Sequence, residues 1–169
     1  TFLIRAYHRL KYLKKKSHHA LLNQIWGFDI AGFPAELATI NLFRQDFSDS
    51  LNFPRVLTRD FFEVNPGDEY EFPPPKKTSQ TGERIRVRIP EFDALVGNFP
   101  FIRQELIEKA NKGYKKFLER VLFENWKEKY PPLFDNHSLR LSGQADIYAY
   151  MFFHAASHLK EGGRMGFIT

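Results

Sequence analysis

Three short apolar runs in this chain each end in a side-chain hydrogen-bond acceptor and give way at once to turn or helix chemistry. Ile25 to Ile30 ends at Asp29, followed by a turn at Gly32 and Phe33 and a helix from Pro34, the favoured first helical position. Arg55 to Phe62 runs through Val56 and Leu57 and delivers Asp60 and Phe61 to its carboxyl end. Phe92 to Asn98 stops abruptly in Asn-Phe-Pro-Phe, with a helix beginning just beyond. Nearly continuous apolar runs of this length suit strands buried on both faces, as in the parallel sheets of α/β folds. Ligands in open α/β sheets bind at the carboxyl ends of the strands, so Asp29, Asp60 and Asn98 are candidate ligand residues. A second reading of Asp29 and Asp60 stays open, in which each caps the element that follows it.

Helices surround these runs. Phe2, Leu3, Ala6, Tyr7, Leu10 and Leu13 recur at spacings of three and four, which predicts an amphipathic helix over residues 2–16. From Ile102, a helical set runs through Leu106, Ile107, Ala110, Tyr114, Phe117, Leu118, Val121 and Leu122, with Gly113 as a break and Pro131-Pro132 as the stop. Asp146 is placed to cap a second helix, Ile147 to Leu159, apolar nearly all round; Gly162 and Gly163 should end it before a strand from Arg164 to Thr169. Residues 65–91 interrupt the rhythm with Asn65-Pro-Gly and a long Pro- and Thr-containing loop, and they read as an insertion in one domain spanning 1–169. Inside it, Arg84, Arg86 and Arg88 alternate with Ile85, Val87 and Ile89, a strand with one basic face for which Tyr70 and Phe72 could supply the hairpin partner. That face suits phosphate contacts, and equally suits a solvated edge strand.

Composition narrows the function classes. With no cysteine there is no disulfide, thiolate metal site or cysteine nucleophile, which fits a reducing cytoplasm. No apolar run is long enough to span a bilayer and no signal peptide is visible, so a soluble chain with no membrane partner is expected. The net charge of +5 favours an anionic partner, with nucleic acid the natural one. The run Lys14 to Lys16, however, reads as the solvated last turn of a helix. His154 and His158 lie four apart as metal pairs do, but only Ala-Ala-Ser separates them and the helix looks buried, so no metal site is expected. Ser142-Gly and Ser157 lack the setting of a hydrolase nucleophile.

Taken together, several blocks carry a family resemblance. They are Trp26-Gly-Phe-Asp-Ile30 with Pro34-Ala-Glu-Leu-Ala38, Thr58-Arg-Asp-Phe-Phe62, Gly97-Asn-Phe-Pro-Phe-Ile-Arg-Gln-Glu105, and Asp146-Ile-Tyr with Leu159-Lys-Glu-Gly-Gly-Arg-Met-Gly-Phe-Ile168. In order and spacing they resemble the motifs of adenine-N6 DNA methyltransferases of the restriction-modification type, whose signature is Asn-Pro-Pro-Tyr. Phe99 stands in place of the first proline, as a leucine does in related RNA dimethyladenosine transferases, and Ala31 and Gly32 replace the usual Asp-Pro.

The resemblance implies a Rossmann-like, three-layer α/β/α fold that uses S-adenosyl-L-methionine and acts on DNA. It assigns the cofactor to Thr1, Phe2, Asp29, Ile30, Asp60 and Phe61, with Asp29 on the ribose and Asp60 and Phe61 at the adenine. It assigns the target base to Asn98, Phe99, Pro100 and Phe101, and makes Arg84, Arg86, Arg88 and Arg103 candidates for nucleic-acid contact. It also implies that the family's first strand, glycine loop and target-recognition domain belong to a longer parent chain, so that this stretch alone is expected to be inactive. Two alternatives remain: the same fold acting on an RNA adenine or a protein glutamine amide, and a silent nucleic-acid-binding module.

Overall fold

Leu3, Tyr7 and Leu10 form the inner face of α1 (Phe2–Lys14), packing with Ile4 on Leu21, Leu22, Ile25, Leu42 and Val56. The computed structural model describes residues 2–48, 53–72, 84–98, 109, 112–131, 141 and 145–168. By internal packing the chain divides into two units, Thr1–Ile89 and Pro90–Thr169.

In the first unit α1 leads into a short helix, α2 (His18–Leu22), then β1 (Trp26–Asp29), α3 (Gly32–Phe43) and β2 (Arg55–Thr58). A 3-10 turn (Phe61–Glu63) and a hairpin of β3 (Glu69–Phe72) and β4 (Ile85–Arg88) follow. β1 and β2 are parallel, with Trp26 opposite Arg55 and Asp29 opposite Thr58. The second unit holds β5 (Phe92–Asn98), α4 (Tyr114–Lys129), α5 (Ile147–Ser157) and β6 (Leu159–Ile168). β5 and β6 are also parallel, with Asn98 opposite Ile168. The α/β class with parallel strands is therefore the one the apolar runs predicted.

Several boundaries differ from expectation. The first helix stops at Lys14, because Lys15 takes a left-handed φ of 46° and Ser17 then caps α2, its side chain accepting from Ala20 N. Lys14, Lys15 and Lys16 are exposed, in keeping with a solvated helix end. α3 begins at Gly32 rather than Pro34, and the run Arg55 to Phe62 leaves strand geometry after Thr58. Gly162 and Gly163 do not end α5. That helix closes at His158, and β6 begins directly at Leu159. The glycines instead serve a bulge: pairing jumps from Phe92 opposite Leu159 to Ala94 opposite Arg164, and Gly162 takes a φ of 75°. A Cβ at Gly163 would lie 2.9 Å from Lys160 O, which explains the second glycine.

Gly113 sits at the N-cap of α4 with a φ of 83°, matching the break expected there, whereas the predicted helical turns at 102–108 lie outside the described residues. Asp146 occupies the N-cap position of α5, but its side chain makes no capping hydrogen bond. The hairpin partner expected for β4 is observed, with Tyr70 opposite Val87 and Phe72 opposite Ile85.

α4 and α5 are joined by a row of polar contacts. Asn125 Nδ2 lies 3.1 Å from His154 Nδ1, and Trp126 Nε1 donates to Phe153 O at 3.2 Å. Lys129 Nζ donates to Glu91 Oε1 at 2.9 Å, to Ser157 O at 2.8 Å and to Leu159 O. This one ammonium satisfies carbonyls at the end of α5 and ties them to the segment entering β5. His154 and His158, both fully buried, pack with ring centroids 4.6 Å apart. No set of three or more His, Asp or Glu side chains is arranged for a metal among the described residues, and no described helix is long and apolar enough to cross a membrane.

Lys129→Met should lower stability by about 1–3 kcal/mol, since it strips donors from carbonyls shielded from water; thermal unfolding and amide exchange along β6 would register the loss. The Tyr150 hydroxyl is buried with no hydrogen-bond partner among the described residues, and burial raises its pKa. Tyr150→Phe should therefore leave stability within about 0.5 kcal/mol or raise it, because no bond is lost.

Candidate functional site

Parallel pairing brings the carboxyl ends of β1 and β2 to one edge. Arg59 N donates to Asp29 O at 2.9 Å and extends the ladder one step past Thr58. Asp29 turns its Oδ1 onto Ala31 N at 2.9 Å, and Asp60 turns its Oδ1 onto Phe62 N at 3.0 Å, capping the 3-10 turn. The capping reading thus holds for Asp60, and Asp29 makes the equivalent local bond. Neither bond exhausts a carboxylate, which has roughly four lone-pair sites. Both side chains are only partly buried.

Apolar surface accompanies these acceptors. Ile30, directly after Asp29, is 73% exposed, and Phe33 is 75% exposed. The Phe61 ring lies 5.5 Å from Phe28, which in turn stacks on Trp26 at 6.4 Å. Two carboxylates beside exposed aliphatic and aromatic groups suit a ligand with vicinal hydroxyls and a planar ring, the chemistry of a nucleoside.

The opposite edge is closed. Arg55 donates from Nη1 to Asn23 O at 2.9 Å and from Nη2 to Asn23 Oδ1 at 2.8 Å, and its guanidinium lies 5.2 Å from the Trp26 ring centroid. Burial lowers the Arg55 pKa. Sequence reading did not single out Arg55, since an arginine opening a strand gives no periodic signal.

In the second unit Asn98 is the last residue of β5, and it is exposed. Phe99, Pro100, Phe101 and Arg103 lie outside the described residues, as does Thr1; Phe2 opens α1 and is 38% exposed. The β4 arginines are exposed, but the expected basic face also carries acids. Register sets Arg86 against Glu71, 3.2 Å apart, and Arg88 against Glu69, 3.1 Å apart. These pairs are solvent-exposed and therefore weak, so they do not hold either arginine firmly. Arg84 precedes the strand and is exposed.

The family model for the Eco57I restriction-modification methylase matches residues 23–169. The chain belongs to this family. Among the described elements the matched region holds every strand, together with Asp29, Asp60 and Asn98, and α1 and α2 precede it. The expectation of a restriction-modification methyltransferase is borne out at that level. No curated protein and no solved structure gives a significant match.

Asp60→Ala should cost about 1 kcal/mol through loss of the cap, whereas Asp60→Asn, also a good cap, should stay within about 0.5 kcal/mol of the parent. Comparing the two by thermal unfolding separates the local structural role from any role that needs the charge.

Proposed function

We propose that this methylase transfers a methyl group from S-adenosyl-L-methionine to the N6 amine of adenine in DNA. The observation that carries the reading is Asn98, an exposed amide at the carboxyl end of a parallel strand and followed by Phe-Pro-Phe, in a chain of the restriction-modification methylase family. We take the fold of the whole to be the Rossmann-like, three-layer methyltransferase type, with 65–91 as an insertion in one catalytic domain.

The amine chemistry accounts for the motif. The N6 lone pair is delocalised into the purine ring and is a poor nucleophile. Two fixed acceptors for its N–H bonds localise that pair: the Asn98 side-chain oxygen takes one, and the Phe99 carbonyl, aimed by the constrained ring of Pro100, takes the other. Phe101 stacks on a base taken out of the duplex, an interaction worth about 1–3 kcal/mol. The amine then needs correct placement more than a strong base, and its surplus proton passes to solvent after transfer.

S-adenosyl-L-methionine, when bound, supplies an electrophilic sulfonium methyl. The residues at the β1/β2 edge fit it by their chemistry: Asp29 accepts from ribose hydroxyls, Asp60 from the adenine amine, and Ile30 and Phe61 offer apolar contact to the ring. We assign Thr1 and Phe2 to the cofactor as well. Arg84, Arg86, Arg88 and Arg103 remain candidates for phosphate contact.

Mass spectrometry of DNA incubated with the intact protein and S-adenosyl-L-methionine should detect N6-methyladenine, and Asn98→Ala should reduce it at least about 100-fold, equivalent to removing roughly 2.7 kcal/mol of positioning. Asp29→Ala should weaken cofactor binding at least about ten-fold by calorimetry. Cofactor binding without any adenine methylation would move the substrate to another planar amine, and no cofactor binding would leave a silent module.

A further inference from the structure

α4 opens with cations where a helix favours anions. Its first turn has no acidic residue, Lys115 and Lys116 lie within it, and Lys112 immediately precedes Gly113. With Lys109, Gly113 and Glu119 these lysines line an open concavity of about 890 Å³, where among the described residues four lysines accompany one glutamate. Among the described residues, Lys109, Lys112 and Lys116 make no ion pair, in contrast to Arg86 and Arg88 of β4, each of which has a glutamate opposite. Further along the exposed side of α4, Arg120 is paired with Glu124 at 3.9 Å, so the unpaired positive charge is concentrated at the start of the helix.

Lys109, Lys112 and Lys116, gathered in one hollow, repel one another, and Lys112 and Lys116 also oppose the helix dipole. An anion relieves both effects. The hollow is much larger than a single phosphate and opens to solvent, which suits a polymer of phosphates. The heads are lysines, compact and flexible point charges, and not the planar forks that read guanine edges or clamp one phosphate in a fixed orientation.

We infer that Lys109, Lys112, Lys115 and Lys116 form a binding surface for the phosphate backbone of duplex DNA, one that attracts and orients the substrate without reading its sequence. This rests on DNA being the substrate, as proposed above. The surface lies apart in sequence from the β4 arginines, and it draws on no residue assigned to cofactor or target base.

The test measures binding of the intact protein to two unrelated random-sequence DNA duplexes by fluorescence anisotropy, between about 50 and 200 mM salt. For Lys112→Ala/Lys116→Ala the slope of log K against log salt should shrink by about 2, roughly one for each phosphate that the variant leaves unneutralised, and affinity should fall equally for both duplexes. Lys14→Ala/Lys16→Ala removes the same charge at the end of α1 and should keep the parent slope. Unchanged far-UV circular dichroism and thermal unfolding of the double variant show that its second unit, which holds α4, is folded. An unchanged slope in the α4 variant, or an equal fall in both variants, overturns the inference while leaving adenine methylation standing. A parent protein that binds no duplex overturns both.

Discussion

Parallel pairing of short strands is the constraint on which the site depends. Because β1 and β2 run the same way, both chains leave the sheet at one edge, and Asp29 and Asp60 arrive there together although 31 residues apart in sequence. An antiparallel pair would put them at opposite ends. The edges then diverge in character: Arg55 closes the amino side with two hydrogen bonds to Asn23 and a stack on Trp26, whereas the carboxyl side ends in carboxylates and exposed apolar groups. In the second unit the same rule carries Asn98 to the carboxyl end of β5, level with Ile168. Open α/β sheets bind ligands at such edges because the backbone there turns away and leaves its polar groups accessible.

Close packing makes the short strands possible. Gly27 lets α1 approach β1 so closely that a Cβ there would lie 2.7 Å from Leu3 Cδ1. Tyr7 is fully buried and still satisfies its hydroxyl, 2.8 Å from His18 Nδ1 on α2. In the second unit Asn125, Trp126 and Lys129 solve the matching problem at the α4–α5 contact, where buried polar atoms would otherwise lack partners. His154 and His158 belong to that framework: His154 O receives the Ser157 hydroxyl at 2.7 Å and lies 2.8 Å from His158 Nδ1. Their four-residue spacing, suggestive of metal ligation in a bare sequence, here reflects helix packing.

The apolar runs made the strands legible at Trp26–Asp29 and Phe92–Asn98, although the two-sided burial such runs suggest is not found in β5, where Asp93, Ala94, Val96 and Asn98 are exposed. The acceptors at their ends could be read as well, since a polar residue closing an apolar run stands out. What escaped notice depends on tertiary partners. α2 has only five residues, too few to show a period, and is held by Ser17 and by packing on Tyr7. The start of β6 was hidden by Gly162 and Gly163, which look like a helix stop and in fact shape a bulge. The glutamates facing the β4 arginines follow from the register of β3 on β4, which the long separation of the two strands in sequence obscures. The lysines around Gly113 were masked by the helical pattern that contains them.

Hydrogen exchange with and without S-adenosyl-L-methionine tests most directly whether the carboxyl edge of β1 and β2 holds the methyl donor. Protection should appear at the amides of residues 29–33 and 60–62, with no change at Asn23 and Arg55 on the closed edge. Protection confined to the Asn23 and Arg55 edge, or bound cofactor with no protection at either carboxyl end, would contradict the account.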